Sequence, residues 1–137
     1  MKIRLYQTKD SSQVAELWKI VFPSAPAHNR PEDDIRRKEQ IQKELFFVAE
    51  IDKRIIGTAL SGYDGHRGWV YYVAVHPDFR RQHIGEKLML RVEQELKNIG
   101  CPKLNLQVRA DNKIVIDFYK KLDYEIEERV SMGKKLV

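Results

Sequence analysis

From Val73 the chain reads Val73-Ala74-Val75-His76-Pro77-Asp78-Phe79-Arg80-Arg81-Gln82-His83-Ile84-Gly85, an apolar strand entering a basic turn that opens a helix. The first turn of a helix carries backbone N–H groups without intrahelical partners, together with the positive end of the helix dipole. A junction of this kind binds phosphate oxygens. Gly85 permits close backbone approach, and Arg80 and Arg81 add positive charge. A plain strand-to-helix connection with two solvated arginines accounts for the same residues, because a single glycine is a weak signal. Four histidines and one cysteine lie scattered along the chain without metal-ligand spacing, so no metal is expected. Cys101, between Gly100 and Pro102, has no partner for an internal disulfide and no triad spacing. It reads as a packing residue in a protein of the reducing cytoplasm.

The net charge of +5 calls for an anionic partner: nucleic acid, an acidic membrane surface or a phosphorylated cofactor. The 25 basic residues are interleaved with 20 acidic ones in runs shorter than five, which argues against nucleic acid. The aromatic residues also form no recognisable RNA-binding signature. No apolar run approaches the roughly 20 residues that cross a bilayer, so no membrane partner is expected. The start, Met1-Lys2-Ile3-Arg4-Leu5-Tyr6, alternates like a strand and lacks the apolar centre of a signal peptide. A length of 137 residues suits one domain, 1–137.

The elements that must position the junction follow from periodicity. Ile3 and Leu5 mark a first strand. Asp10 with Gln13 predicts a capping box that opens a helix with Val14, Leu17, Trp18, Val21 and Phe22 on one face. A proline-containing loop over 23–31 precedes a charged helix over about 31–44, whose apolar positions are Ile35, Ile41 and Leu45. Residues 45–51 and 54–60 form a hairpin about Asp52-Lys53, and Asp64-Gly65-His66-Arg67-Gly68 makes a second tight return. The run 69–75 has no polar alternation and predicts a central strand buried on both faces. Ile84, Leu88, Val92, Leu96 and Ile99 predict an amphipathic helix closed by Gly100. A strand with Leu104, Leu106 and Val108, a helix with Val115, Phe118 and Leu122, and a closing hairpin over about 124–136 complete an α/β domain on a mixed sheet.

The junction resembles the acyl-coenzyme A-binding motif of the GNAT superfamily, the Gcn5-related N-acetyltransferases. Arg80, His83 and Gly85 occupy its defining places, preceded by Val75-x-Pro77. A second segment is similar to another family motif: Asn112, Phe118-Tyr119-Lys120-Lys121-Leu122 and Tyr124. The two lie in register with a strand between them, and the element order matches across essentially the whole chain. A closer resemblance is to the small bacterial YpeA-type acetyltransferases, a subfamily without an assigned acceptor. It is carried by the 62–68 segment, Gly100-Cys101-Pro102-Lys103 and the end of the chain, Ser131-Met132-Gly133-Lys134-Lys135-Leu136. In three places the chain departs from the family pattern. His83 stands where the family has its first loop glycine, Asp123 replaces a helix-ending glycine, and Val115 replaces a small alanine.

The resemblance implies a mixed, mainly antiparallel sheet flanked by helices, and direct transfer of an acetyl group from acetyl-CoA to an amine. It assigns the pyrophosphate to the backbone around Arg80, Arg81, Gln82, His83, Ile84, Gly85 and Glu86. The pantetheine would pair with the main chain of Val73, Ala74 and Val75, as an added strand does. Asn112 would bond the cofactor or merely cap its helix. Tyr119 would donate to the departing thiolate, or be a core aromatic. Relatives often carry a basic carboxylate on the strand before the loop, and 69–75 holds none. Glu50, Asp64 and His66 remain as candidates for the base, as does a water chain. Tyr71 and Tyr72 would line the acceptor pocket or belong to the core. No metal is implied, and the oligomer would be a monomer or homodimer. A catalytically weak module that senses acyl-CoA is the alternative reading, and turnover separates the two.

Overall fold

A computed structural model describes residues 1–23 and 30–137, so most of the loop expected over 23–31 lies outside the described residues. The chain divides into two compact units, Met1–Gln107 and Val108–Val137, each described by itself.

The first unit contains strands β1 (Lys2–Leu5), β2 (Phe46–Ile51), β3 (Arg54–Tyr63), β4 (Gly68–Val75) and β5 (Leu104–Leu106). Its helices are α1 (Ser11–Val21), α2 (Pro31–Lys38) and α3 (Ile84–Asn98). The strands lie in the order β1-β2-β3-β4-β5. The first three pairings are antiparallel and the last, β4 with β5, is parallel. This is the mixed, mainly antiparallel sheet expected. The β2–β3 turn uses Asp52 and Lys53 at φ 48° and 67°, the left-handed pair of a two-residue hairpin.

On one face of the sheet, Val14, Leu17 and Trp18 of α1 and Ile35 of α2 are buried with Phe46, Val48, Ile55 and Ala74. On the other face α3 buries Ile84, Leu88, Met89, Val92 and Leu96, while Arg91 lies over the Phe47 ring at 5.2 Å. Gly57 lets α3 approach the sheet: a Cβ there would stand 3.1 Å from Leu88 Cδ1 and 3.2 Å from the Ala74 oxygen. Gly68 is similarly hemmed in, 2.9 Å from Cys101 Sγ for an added Cβ. Cys101 therefore fills space under the start of β4.

Several local expectations are corrected. Asp10 does not cap α1 with Gln13. Its carboxylate accepts the Gln7 N–H at 2.8 Å and two bonds from Arg4, and a short 3₁₀ turn, Thr8–Asp10, precedes the helix. Gln13 instead accepts the Ile55 N–H at 2.9 Å. α2 stops at Lys38 rather than near 44. Gln42 takes φ 50° and pairs both amide atoms with the Tyr63 backbone at 2.7 and 2.8 Å, while Lys38 Nζ donates to the Ser61 oxygen at 2.5 Å. Those bonds satisfy the end of β3 beyond its pairing with β2, and a continued helix would forgo them. Ile41 and Ile99 are exposed. The strand β4 is interior to the sheet but not central, and Tyr71 on it is 48% exposed. β3 occupies the centre, between two full-length antiparallel partners.

The second unit holds α4 (Lys113–Lys121), with Asn112 at its N-cap and Asp123 at φ 70° just beyond its end. No strand forms over 124–137, so the closing hairpin is absent. Ile126, Val130, Met132 and Leu136 are 70% exposed or more, and apolar side chains without a surface to pack on gain nothing from strand formation.

Candidate active site

The sheet opens between β4 and β5. Their parallel register covers only Gly68, Trp69 and Val70 against Leu104, Asn105 and Leu106. Among the described residues no strand pairs with 71–75 on that side, so the backbone of Val73, Ala74 and Val75 presents a free edge.

That edge begins at an irregularity. Thr58 pairs with Ala74 and Leu60 with Tyr71, so Tyr72 and Val73 together face Ala59. Tyr72 adopts φ 51°, a left-handed conformation that costs a side chain about 1–2 kcal/mol and marks a β-bulge. Buried bonds hold it. Trp18 Nε1 donates to Thr58 Oγ1 at 2.8 Å, and Thr58 Oγ1 donates to the Tyr72 oxygen at 2.8 Å. The Tyr72 ring stacks on Trp18 with centroids 3.7 Å apart, and its hydroxyl donates to Asp34 on α2. Burial and this carboxylate both raise the phenol well above its usual range.

After β4 the chain turns through Pro77–Phe79, where the His76 ring accepts the Asp78 N–H at 3.1 Å. Arg54 braces the turn, 5.4 Å from the Phe79 ring and 3.2 Å from His76 Nε2. Arg81 and His83 then take φ 64° and 60°. His83, left-handed, is followed directly by right-handed helical Ile84, the pairing of opposite hands from which anion-binding nests are built. The first backbone bond of α3 runs from the Lys87 N–H to the His83 oxygen at 3.0 Å, leaving the amides of Ile84, Gly85 and Glu86 as first-turn donors. Arg80, Arg81, Gln82 and His83 are exposed, and the His83 ring lies against Glu86 with Nδ1 3.1 Å from the carboxylate. The position that the family pattern gives to glycine is thus held by a histidine in a glycine-like conformation, its ring drawn along the helix.

The base candidates sit apart from this edge. Glu50, on β2, accepts from Arg4 at 2.9 Å, and that bond holds its carboxyl below the usual range. Asp64 accepts the Arg67 and His66 N–H groups at 2.7 Å each inside the β3–β4 turn, which lowers it likewise. Both Asp64 and His66 belong to the turn that precedes β4, at the opposite end of that strand from the 80–86 loop. The carboxylate in contact with the bulge is Asp34. In sequence Asp34 is one of many charges on the helix expected over 31–44, and no local signal links it to Tyr72, 38 positions away.

In the second unit Asn112 Oδ1 accepts the Val115 N–H at 3.3 Å as a helix cap. Tyr119 is 8% exposed, in edge contact with Phe118 and Tyr124, and burial pushes its phenol up to about 12.

The sequence pattern of the acetyltransferase (GNAT) family matches residues 12–124. An acetyltransferase of Yersinia enterocolitica is 47% identical over 137 residues, covering 100% of this chain and 96% of that protein. Among solved structures, AAC(6')-Iy in complex with the bisubstrate analogue CoA-S-monomethyl-acetylneamine superposes with a TM-score of 0.80 at 22% identity, covering 99% of this chain and 98% of that one. The ribosomal-protein-S18-alanine N-acetyltransferase of Escherichia coli gives 0.75 at 23%, covering 88% of this chain and 75% of that one. A nested loop on a helix N-terminus, beside a strand with an open edge, is thus found in a chain that belongs to the GNAT family of acetyltransferases.

Proposed function

We propose that this enzyme transfers the acetyl group of acetyl-CoA directly to an amine, either a protein N-terminal α-amine or a low-pKa small-molecule amine. The observation that carries the reading is the continuity of two backbone surfaces: the open edge of β4 at 73–75 and the unpaired amides of 80–86. A pantetheine arm fits the first as an added strand, and a pyrophosphate fits the second as an anion at a helix N-terminus. Arg80 and Arg81 supply charge for the phosphates. The family match crosses both units, which supports a single domain over 1–137.

In this scheme the amine nitrogen attacks the thioester carbon, the C–S bond breaks, and the thiolate leaves with its electron pair. Tyr119 is the proposed donor to that thiolate, with Asn112 bonding the cofactor beyond its capping role. An α-amine with a pKa of about 7.7–8.0 is neutral roughly a tenth of the time or more at pH 7, whereas a lysine amine at about 10.4 almost never is. With no carboxylate on 69–75, the first class suits the site better. AAC(6')-Iy is an aminoglycoside N-acetyltransferase and the Escherichia coli protein a ribosomal-protein-S18-alanine N-acetyltransferase, so both acceptor classes are compatible with this fold.

A thermal-shift titration tests the reading. Acetyl-CoA at a hundredfold excess over Kd adds roughly 2.7 kcal/mol and raises Tm by several degrees. A flat titration to millimolar cofactor defeats it. One observation favours the second reading, an acyl-CoA sensor of weak activity: a histidine at the left-handed position 83, where the family pattern has glycine. Binding without turnover on any amine would establish that reading.

A further inference from the structure

The carboxylates expected from sequence as bases are committed elsewhere, Glu50 to Arg4 and Asp64 to its own turn. Asp34 is placed differently. It projects from α2 onto the one residue of β4 whose backbone leaves strand geometry, and that residue starts the strand's free edge. Its side chain is 25% exposed, so it is reachable from solvent while fixed by a neutral hydrogen bond. The other oxygen, Oδ1, meets Arg37 at 2.7 Å, and Arg37 is 62% exposed. Exposed pairs of this kind are held weakly, so an incoming amine can take the place of the guanidinium. Trp18 stacks on the Tyr72 ring and Phe22 meets it edge-on, so the tyrosine that holds the carboxylate is itself fixed by apolar packing.

We infer that Asp34, oriented by the Tyr72 hydroxyl, is the carboxylate that receives the acceptor amine and accepts its proton. The assignment rests on the acetyl-transfer reading above and names the missing base within it. An N–H of the acceptor donates to Asp34 Oδ1, which aims the nitrogen lone pair away from the carboxylate. As the N–C bond forms and the C–S bond breaks, the nitrogen becomes a far stronger acid than a free ammonium and gives its proton to Asp34. The thiolate carries off the C–S electron pair, and Asp34 returns its proton to water. Tyr72 is a positioning residue: its phenol stays protonated and keeps one carboxylate oxygen occupied.

The experiment compares Asp34→Asn, Tyr72→Phe, the double variant and Asp33→Asn, a neighbouring surface carboxylate paired with Arg36. Peptides with a free α-amine and small primary amines serve as probes, scored on the best acceptor. Asp34→Asn is expected to lower kcat/KM about 10²-fold or more, the range of general-base effects, while the Kd for acetyl-CoA stays within about twofold of the parent protein's. Tyr72→Phe should lower kcat/KM about tenfold, and the double variant should be no worse than Asp34→Asn alone, because the two act as one unit. Asp33→Asn should retain full activity. Loss of acetyl-CoA affinity in step with activity in Asp34→Asn would mark a structural role and overturn the proposal. So would full activity in an Asp34→Asn protein that still binds acetyl-CoA. Failure of the parent protein to bind acetyl-CoA is a separate readout and would overturn the underlying reading as well.

Discussion

The hydroxyl of Thr58 donates to the carbonyl oxygen of Tyr72 at 2.8 Å, and this bond supports a left-handed tyrosine in the middle of a strand. Thr58 is fully buried and also accepts the Trp18 indole N–H, so one hydroxyl satisfies a donor on α1 and an acceptor on β4. Replacing it with valine keeps the shape and strands both partners. At about 1–3 kcal/mol for each buried polar group left unpaired, Thr58→Val should cost about 2–6 kcal/mol, read as a lowered Tm. Because the lost bond holds the bulge and not the 80–86 loop, kcat should fall more than acetyl-CoA affinity. Thr58→Ser, which restores the hydroxyl, should recover most of kcat. Equal activity in the valine and serine variants would show that the hydroxyl does not set the site.

His83 provides the second prediction. At φ 60° it occupies a conformation that glycine adopts freely and L-residues adopt at a cost. His83→Gly removes the Cβ from the phosphate cradle and the ring contact with Glu86. Relief of strain and the larger entropy of an unfolded glycine nearly cancel, so stability should change by no more than about 1 kcal/mol. Acetyl-CoA should bind several-fold more tightly in isothermal titration. Unchanged or weaker binding would show that the ring contributes to the cofactor site.

Local patterning anticipated the parts that depend on neighbours in sequence. The α3 stripe of Ile84, Leu88, Val92 and Leu96 is buried as its spacing requires, and the hairpin turns at Asp52-Lys53 between its two apolar runs. Contacts made across the chain were not legible. Where α2 ends is decided by Gln42 meeting Tyr63 across 21 positions. The bulge arises from a register mismatch between β3 and β4, and nothing in Val70-Tyr71-Tyr72-Val73 announces it. The same holds for Asp34: its contact with Tyr72 follows from where α2 packs, while its sequence context, Glu32-Asp33-Asp34, equally describes ordinary dipole compensation at a helix start.

Tyr119 is the subject of a third prediction. Burial raises its phenol to about 12, since a desolvated phenolate is disfavoured. The hydroxyl therefore stays protonated throughout the range in which the enzyme can be assayed, so the proposed donor works by hydrogen bonding rather than by titrating. Tyr119→Phe should lower kcat by about 10²-fold or less, because a thiolate leaves readily without help, with acetyl-CoA affinity preserved. The pH profiles of the two proteins should share one shape between about pH 6 and 10. An alkaline limb below pH 10 present only in the parent protein would contradict the raised pKa. Full activity in the phenylalanine variant would remove Tyr119 from the mechanism.

The Arg4–Asp10–Glu50 cluster should govern stability, not catalysis. Arg4 meets both Asp10 oxygens at 2.8 and 2.9 Å and Glu50 at 2.9 Å. Burial alone would raise the Asp10 carboxyl, but the Arg4 bond and the Gln7 N–H outweigh it and hold the group below the ordinary 3.8. A carboxylate depressed in the folded state binds fewer protons there than in the unfolded chain. It therefore stabilises the fold above the unfolded value and loses that contribution as pH falls through the folded one. Asp10→Asn should cost about 2 kcal/mol at pH 7, below the roughly 3–5 kcal/mol of a fully broken buried pair because Arg4 keeps Glu50. The deficit should be constant above about pH 5 and shrink as the pH drops below 3.8, where the parent protein's own carboxylate becomes protonated. Denaturant melts at pH 7, 5, 4 and 3 measure this directly, and a deficit independent of pH would show that packing, not charge, is lost. Glu50→Gln in the same series should leave kcat within about twofold of the parent, since a carboxylate bound to Arg4 is no base. A kcat lower by the 10²-fold or more typical of a lost general base would return Glu50 to the active site.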